Sequence, residues 1–245
     1  VENNSKAPET FAYYETLPER VAAASEGKGV ARVVYWPGEF NYSQIINFGV
    51  EHAKGDYLLL LNNDTEVISP DFIEEMMGYL QRPDAGVVGA KLCFADHLVQ
   101  HAGILVGARG ALAHANQDIS AKREGYLARA VRPGNFSVVT GACQMVRRDV
   151  FEQVGGYNEK FAVGFKDTDF CLRVWEAGHR TIFTPYAELY HYEFTSRGRE
   201  EANEEKLRRW KREQALFMQR WPEFFLDGDP WLGSYLSSES EFGAL

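Results

Sequence analysis

The sequence lacks the broad positive charge that a nucleic-acid-binding surface requires. Its 245 residues carry 35 acidic and 26 basic side chains, which gives a formal net charge of -9 at pH 7. A protein that binds a polynucleotide mainly through its phosphates needs an excess of lysine and arginine. We therefore expect no nucleic-acid partner, and a phosphate ligand must be held by a few specific groups or by a metal ion.

Two further absences concern cysteine pairs and long apolar runs. The three cysteines, Cys93, Cys143 and Cys171, stand far apart and show no paired CxxC spacing. Reduced, buried thiols in a cytoplasmic protein are the expectation for such a set. No apolar stretch reaches the roughly 18 residues that a membrane-spanning helix requires, so we expect no segment that crosses a bilayer.

What is present is an alternation of short strand and helix patterns with little linker between them. The first half of the chain predicts helices over 8–25, 42–54 and 70–81 and strands over 31–35, 57–61 and 87–94. Pro18 is expected to break the first helix or to start a second one. The βαβα order favours a parallel sheet with right-handed crossovers.

The second half of the chain begins with an irregular region. From His97 to Arg132 the sequence is rich in glycine and alanine, and we predict a hairpin followed by a flexible loop, with His97 and His101 as surface histidines. Beyond it, the pattern predicts strands over 136–146 and 181–184 and helices over 149–154, 167–177 and about 200–220.

The stretch from Leu58 to Val67, LLLLNNDTEV, ends an apolar run abruptly on two amides and a carboxylate. The run predicts a strand buried on both faces of a parallel sheet. Ligands of open α/β sheets bind beyond the carboxyl ends of such strands, so the polar triplet stands where chemistry is expected. The alternative is that Asn62, Asn63 and Asp64 form a turn that leads to the next helix.

Three separate segments of the chain follow the pattern of one enzyme family in the same order and spacing. They run from Phe40 to Val67, from Thr140 to Gly156, and from Lys166 to Arg180, which reads KDTDFCLRVWEAGHR. Together they resemble the family 2 glycosyltransferases with the GT-A fold. The branch they resemble most is that of the rhamnosyltransferase-like enzymes of bacterial polysaccharide synthesis, over roughly residues 1–200.

The resemblance implies both a fold and an activity. The fold is an α/β GT-A domain over residues 1–198, with a Rossmann-like nucleotide-diphospho-sugar transferase sheet flanked by helices. The activity is inverting transfer of a sugar from a nucleotide diphosphate donor to a hydroxyl of a glycan or of a lipid-linked acceptor. Such an enzyme would work in the cytoplasm, with possible peripheral contact at the inner face of the membrane.

Asp64 corresponds, in this resemblance, to the last carboxylate of the family's metal-binding motif, which binds Mn²⁺ or Mg²⁺ on the donor diphosphate. A hard divalent cation prefers oxygen ligands and neutralises the charge that grows on the leaving diphosphate. Asn62 stands where a first acid is often found and offers only a neutral oxygen. Similar enzymes have a metal-binding histidine at the position of His191. The alternative role for His191 is that of a packed, hydrogen-bonded core residue.

Asp167 corresponds to the family's catalytic aspartate, which takes the proton of the acceptor hydroxyl as that oxygen attacks the anomeric carbon. Asp169 lies two positions on, and residues at i and i+2 of a helix point in different directions. We therefore expect it to cap the helix or to meet Arg173. Lys166 replaces the usual acid and would favour the ionised form of its neighbour. The alternative is that both aspartates merely complement the helix dipole.

The resemblance also implies contacts to the nucleotide sugar. The implied donor-binding residues are Glu2, Asn4, Asn47, Asn63, Asp64, Gly141 and Ala142. Glu2 matches a position that contacts the base or ribose of the donor. The alternative interpretation is that Glu2 is a surface acid at the end of a strand. Gly141 and Ala142 interrupt a strand pattern, where a glycine allows close approach of a ligand or a bulge.

Both ends of the chain carry expectations of their own. In the family, a strand and a helix precede the segment that matches VENNS, so we expect an N-terminally incomplete domain that is either truncated or part of a longer polypeptide. Residues 199–245 predict an amphipathic helix and a tail. The helix packs on the catalytic domain or, because it is basic and aromatic, lies on an anionic membrane. The tail from Trp231 to Leu245 is expected to order only against a partner.

Two other functions remain open at this level. One is a nucleotidyltransferase on a related sheet, which should show a phosphate loop rich in glycine and arginine near its N-terminus. The other is a non-catalytic nucleotide- or glycan-binding domain of a larger protein, favoured by Asn62 and Lys166. Many chemistries share one fold, so the fold by itself does not decide among them.

Overall fold

The computed structural model describes residues 1–108, 111–192 and 203–232. The helices are α1 (Pro8–Ala24), α2 (Tyr42–His52), α3 (Phe72–Leu80), α4 (Arg148–Gln153), α5 (Lys166–Glu176), α6 (Glu204–Arg220) and α7 (Glu223–Leu226). The strands are β1 (Tyr57–Leu61), β2 (Thr65–Val67), β3 (Ala85–Cys93), β4 (Val99–His101), β5 (Ile104–Val106), β6 (Leu112–His114), β7 (Gly134–Asn135), β8 (Cys143–Arg147) and β9 (Arg180–His191).

The main sheet is mixed rather than parallel. Its strand order is β1-β8-β3-β9-β2, with β4 beside β3 and β7 beside β9. β3 and β9 run parallel, whereas the other described pairs in this sheet are antiparallel. The prediction of a parallel sheet is therefore wrong for most pairs. The reason is that β1 pairs with β8, far along the chain, and local sequence does not specify such long-range partners.

The sheet separates two apolar layers. One contains Val87 of β3 with residues of α2, α4 and α5, and the other contains Val88 of β3 with residues of α3. Every residue of β3 is buried, as expected for a central strand covered on both faces. β1 is different: Leu58 and Leu60 are buried but Leu61 is exposed, so the prediction that β1 is buried on both faces is wrong at its end.

Two predictions for the first forty residues are corrected. No strand forms over 31–35, where Tyr35 makes only an isolated parallel bridge with Glu2. Pro18 lies inside α1, which continues through it. A proline removes one backbone hydrogen bond, and that loss does not by itself end this exposed helix, none of whose residues is buried.

Two strand boundaries also differ from prediction. Of the strand predicted over 136–146, only the last part forms, as β8, while β7 precedes it and residues 136–142 between them are irregular. β9 extends to His191, well beyond the predicted end at Thr184. Pro185 accounts for the short prediction, since proline usually ends a strand, but here the β3–β9 register shifts at this point and accommodates it.

The region from His97 to Arg132 contains the predicted hairpin, formed by β5 and β6. His97 is exposed and has a positive φ of 63°. His101 is completely buried, so its prediction as a surface residue is wrong. Its imidazole is satisfied inside the protein, since its Nε2 accepts hydrogen bonds from the amides of Gly103 and Thr140.

The remaining predictions concern the cysteines, the bilayer and the C-terminal tail. Cys93, Cys143 and Cys171 are free and buried, as predicted, and burial raises the pKa of each thiol to about 12. None of the helices in the described part of the chain is long and apolar enough to cross a bilayer. Most of the tail, residues 233–245, lies outside the described residues.

Candidate functional site

The turn between β1 and β2 brings the polar triplet beside the end of β9. Thr65 pairs with His191 across the β2–β9 ladder. The amide of Tyr192 also donates to the carbonyl of Asp64 at 2.8 Å. These backbone contacts fix the turn against the last residue of β9, so side chains that are far apart in the sequence meet at one corner of the sheet, which we call the metal corner (Asn62, Asp64, Gln100 and His191).

Asp64 and His191 face each other at the metal corner, as their predicted shared role requires. The Oδ1 atom of Asp64 is 3.2 Å from Nε2 of His191, and Nδ2 of Asn62 is 3.3 Å from the same nitrogen. Burial lowers the pKa of His191 more than the Asp64 carboxylate raises it. His191 is therefore a neutral imidazole at neutral pH.

Gln100, in β4, fixes the tautomer of His191. Its Nε2 donates to the His191 carbonyl at 3.2 Å, and its Oε1 lies 2.7 Å from Nδ1 of the same residue. An amide oxygen only accepts hydrogen bonds, so Nδ1 carries the proton and Nε2 of the neutral ring presents a lone pair. Local sequence gave no signal for Gln100, which acts through a contact across the sheet.

The metal corner fits a divalent cation. Oδ1 of Asp64 is buried and receives no hydrogen bond, although Nε2 of His191 is close, because both atoms present lone pairs to each other. Neighbouring ligands of an octahedral ion with bonds of about 2.1 Å are about 3 Å apart, close to this separation. No group of three His, Cys, Asp or Glu side chains suited to a metal occurs within the described ranges.

Asp167 lies at a second corner, the base corner (Gly141, Lys166 and Asp167). Its Oδ2 accepts a hydrogen bond from the Gly141 amide at 2.8 Å, and its Oδ1 accepts one from the Thr168 amide at 3.0 Å. Nζ of Lys166 is 3.9 Å from Oδ2. Burial acts to raise the pKa of Asp167, but the Lys166 ammonium and the two amides outweigh it and hold that pKa below its usual value.

Tyr42, the first residue of α2, connects the two corners. Its hydroxyl lies 3.1 Å from Oδ1 of Asn62 and 3.0 Å from the carbonyl of Gly141. Nζ of Lys166 sits over the Tyr42 ring, 4.4 Å from its centroid. Burial raises the pKa of Tyr42 well above its ordinary value, so the hydroxyl keeps its proton and serves as a fixed donor. Sequence analysis did not single out this tyrosine.

Asp169 does not belong to the site. It is completely buried and accepts hydrogen bonds from Arg173 at 2.8 Å and from Nε1 of Trp221 at 3.2 Å. Nε of Arg220 is 2.9 Å from the same carboxylate. Of the two expectations for Asp169, a helix cap or a contact with Arg173, the structure confirms the contact with Arg173.

Several implied donor-binding residues have structural partners of their own. The Glu2 carboxylate is buried and accepts hydrogen bonds from Ser5 and from the Tyr14 hydroxyl, so it is not a surface acid. Although burial acts to raise the pKa of Glu2, these hydrogen bonds lower it overall. Asn47 exchanges hydrogen bonds with both backbone groups of Tyr157, at 2.9 Å each.

The other implied residues differ in exposure. Asn4 and Asn63 are exposed, and Asn4 has a positive φ of 62°. Ala142 is buried, and its carbonyl accepts a hydrogen bond from the Asn62 amide at 2.9 Å. Thus Ala142 joins the two corners through the backbone, while a donor-binding role for Glu2, Asn4, Asn47 and Asn63 stays a prediction.

Comparisons with known proteins identify the family of this chain. A family model described as "Glycosyltransferase like family 2" matches residues 19–214. An uncharacterized protein of Sinorhizobium fredii is 43% identical over 74% of this chain and 20% of its own length. The O-antigen biosynthesis protein RfbC of Myxococcus xanthus is 37% identical over 80% of this chain and 15% of its own length. The chain thus spans a fifth or less of these two relatives.

A rhamnosyltransferase and one solved structure extend the comparison. The N-acetylglucosaminyl-diphospho-decaprenol L-rhamnosyltransferase of Mycobacterium tuberculosis is 28% identical over 60% of this chain and 50% of its own length. The crystal structure of GalNAc-T7 with UDP, GalNAc and Mn²⁺ superposes with a TM-score of 0.59 at 14% identity, over 86% of this chain and 41% of that one. That likeness confirms the GT-A fold. The chain belongs to glycosyltransferase family 2, in a branch that resembles the rhamnosyltransferases of bacterial polysaccharide synthesis.

Proposed function

We propose that this chain is the catalytic domain of an inverting, metal-assisted glycosyltransferase that uses a nucleotide diphosphate sugar. The observation that carries the proposal is the pairing of two acidic corners joined by Tyr42. One corner offers a carboxylate and an imidazole lone pair to a cation. The other offers a carboxylate held ionised beside Lys166 and Gly141. Cation binding and proton removal are the two tasks that such a transfer requires.

Asp64 and His191 would hold the divalent cation at the metal corner. When bound, the ion neutralises the negative charge that develops on the departing nucleotide diphosphate. A donor set of one carboxylate and one imidazole suits Mn²⁺ better than Mg²⁺, which favours oxygen ligands alone. Gln100 keeps Nε2 of His191 unprotonated, and Tyr42 keeps Asn62 oriented beside it.

Asp167 would act as the general base. Its lowered pKa keeps the carboxylate ionised at neutral pH, ready to accept the proton of the acceptor hydroxyl. The acceptor oxygen then forms its bond to the anomeric carbon while the bond to the diphosphate breaks on the opposite face, which inverts the anomeric configuration. The Gly141 amide holds Oδ2 of Asp167 in place during this step.

The names of the relatives support a narrower substrate class. One is named for O-antigen biosynthesis and another for rhamnosyl transfer to a diphospho-decaprenol-linked sugar. We infer a hexosyl or 6-deoxyhexosyl donor and an acceptor that is a glycan or a lipid-linked sugar. Such an acceptor would bring the enzyme to the inner face of the cytoplasmic membrane as a peripheral protein.

A release assay tests the proposal. Folded protein is incubated with UDP-, dTDP- and GDP-linked sugars, with Mn²⁺, Mg²⁺ or excess EDTA, with water or a lipid-linked glycan extract as acceptor. The expected result is release of the nucleotide diphosphate from one donor class, with Mn²⁺ at least as effective as Mg²⁺ and no release in EDTA. Product NMR should show the inverted anomer.

Three other outcomes would overturn the proposal or part of it. Mn²⁺-dependent binding of a nucleotide without release from any donor would favour the non-catalytic binding domain that Asn62 and Lys166 made conceivable. Transfer of a nucleotidyl group from a nucleoside triphosphate to a sugar 1-phosphate, detected as pyrophosphate formation when both are supplied, would identify a nucleotidyltransferase instead. A retained anomeric configuration would reject inversion and the role of Asp167 as a base.

A further inference from the structure

The buried carboxylate of Glu213, on α6, lies against the turn that precedes α5. Glu213 is only 5% exposed. Its Oε1 accepts a hydrogen bond from the Ala162 amide at 3.0 Å, and its Oε2 accepts one from the Gly164 amide at 2.6 Å. A carboxylate that accepts two backbone N–H groups two residues apart holds that backbone in one geometry, because such charge-assisted hydrogen bonds are strong.

This turn leads directly to the base corner. Phe165, the residue before α5, adopts a left-handed conformation with φ 58° and ψ 2°. Such a conformation is unfavourable for a bulky residue and persists where its surroundings enforce it. Here α6 supplies those surroundings, since the Phe165 ring stacks on Phe217 with centroids 5.1 Å apart. The next two residues are Lys166 and Asp167.

The same turn also holds Tyr42. The Ala162 carbonyl accepts a hydrogen bond from the Tyr42 amide at 2.8 Å, and the neighbouring Phe161 carbonyl accepts one from the Ser43 hydroxyl at 2.6 Å. The backbone that Glu213 holds therefore contacts Tyr42 at one end and continues into Asp167 at the other. Lys166 contacts both residues, since its ammonium lies over the Tyr42 ring and 3.9 Å from the Asp167 carboxylate.

Gly164 shows how close this contact is. A Cβ atom built on Gly164 would lie 3.1 Å from Oε2 of Glu213 and 3.4 Å from Cδ1 of Trp210. A side chain at that position would require the Glu213 carboxylate to shift by a few tenths of an ångström. The short sequence Ala162-Val163-Gly164 thus fits the Glu213 carboxylate by leaving it room.

We propose that Glu213 is a positioning residue for catalysis, which sets Asp167 and Lys166 relative to Tyr42 by holding the turn at residues 162–165. This inference rests on the proposed function. It assigns the C-terminal helix a part in catalysis rather than only in covering the domain. Misplacement of a reacting group by about 1 Å costs on the order of 100-fold in rate, so loss of one such brace affects turnover strongly.

The test compares Glu213→Gln with Glu205→Gln. Glu205 is an exposed glutamate on the same helix, so its substitution makes the same chemical change without touching the turn. In Glu213→Gln, one of the two backbone donors faces an amide NH₂ and loses its acceptor. We expect kcat for nucleotide release to fall about 10- to 100-fold, while the Kd for UDP with Mn²⁺ stays within about twofold because the metal corner is not touched. Glu205→Gln should match the unmodified protein in both.

A purely structural role would give a different result. In one case, the substitution would lower the fraction of folded protein while kcat per nucleotide-binding molecule stays constant. In the other, kcat and nucleotide affinity would fall together. Either result overturns the proposal. Glu213→Asp, which keeps the charge on a shorter side chain, serves if Glu213→Gln does not fold, and it should show the same split between kcat and Kd.

Hydrogen exchange on the unmodified protein gives an independent check. The amides of Ala162 and Gly164 should be protected to the same degree as those of α5, and rapid exchange at both would overturn the proposal. The two proposals fail in different ways. If the unmodified protein releases no nucleotide, the proposed function fails. If the unmodified protein releases nucleotide and Glu213→Gln does so equally fast, only the positioning role is rejected.

Discussion

The metal corner and the base corner of the site are built in opposite ways. At the metal corner, Oδ1 of Asp64 and Nε2 of His191 turn lone pairs toward each other at 3.2 Å, and the Asp64 atom receives no hydrogen bond. At the base corner, both oxygens of Asp167 already accept backbone hydrogen bonds. In the proposed function a cation completes the first corner, whereas the protein itself completes the second.

This difference separates binding from turnover. Changes at the metal corner should weaken cation and nucleotide binding, because the missing positive charge must come from the ligand. Changes at the base corner should reduce the rate of transfer while binding persists, because in the proposed mechanism the base meets the acceptor rather than the diphosphate. Tyr42 contacts both corners, so its substitution should affect both ligand binding and the rate of transfer.

The largest expected effect is on turnover, at the base corner. Asp167→Asn removes the proton acceptor but keeps the size of the side chain, and general-base catalysis contributes roughly 100- to 10,000-fold. We expect nucleotide release to fall within that range while the Kd for UDP with Mn²⁺ changes little. Asp227→Asn, at an exposed position, is the control. A turnover that survives in Asp167→Asn would remove the distinction between the corners.

The next effect concerns the metal corner. Gln100→Leu removes the acceptor that fixes the His191 tautomer, and loss of such a supporting hydrogen bond costs about 10- to 100-fold in metal affinity. Mn²⁺ titration followed by EPR in the presence of UDP measures it. Gln219→Leu, on the exposed face of α6, should leave the affinity unchanged. Equal affinities in the two variants would contradict the assigned tautomer.

The third effect is on the pH dependence of stability and concerns His101, which contacts the backbone next to the base corner. Burial lowers the pKa of His101 well below its ordinary value of 6.5, so only the unfolded chain takes up this proton as the pH falls below 6.5. The free energy of unfolding therefore decreases below pH 6.5. His101→Asn should flatten this dependence by up to about 1.4 kcal/mol per pH unit.

Chemical denaturation at pH 5 to 7 measures that slope. His97→Asn is the matched control, because His97 is exposed and asparagine tolerates its positive φ. A slope that His101→Asn leaves as steep as in the unmodified chain would mean that the buried imidazole does not account for it.

The smallest effect is expected at Lys166. Its ammonium helps to hold the pKa of Asp167 below its usual value. Lys166→Met should raise that pKa, and the acid limb of the kcat/KM profile should move to higher pH. At pH 7, where Asp167 stays ionised, we expect a change of less than about threefold. A profile that moves to lower pH would reverse the assigned electrostatics.

The sequence singled out the carboxylates and the histidine of the two corners but not the residues that connect and support them. Asp64 and Asp167 stand in segments that resemble a family, and His191 matches a position where similar enzymes have a metal-binding histidine. The helices α2, α3 and α5 lie within the predicted helices or within one residue of them. Tyr42 and Gln100 were missed because they act through partners that are 99 and 91 positions away. Strand direction was missed for the same reason, since β1 and β8 meet only in the folded chain.

The most direct test of the central claim is a Mn²⁺ titration by EPR in the presence of UDP and of dTDP, on the unmodified protein, Asp64→Ala and Asp167→Asn together. The account predicts that Asp64→Ala loses Mn²⁺ binding and nucleotide binding in parallel, while Asp167→Asn keeps both. Equal losses in the two variants, or Mn²⁺ binding that survives in Asp64→Ala, would contradict the division of the site into a metal corner and a base corner.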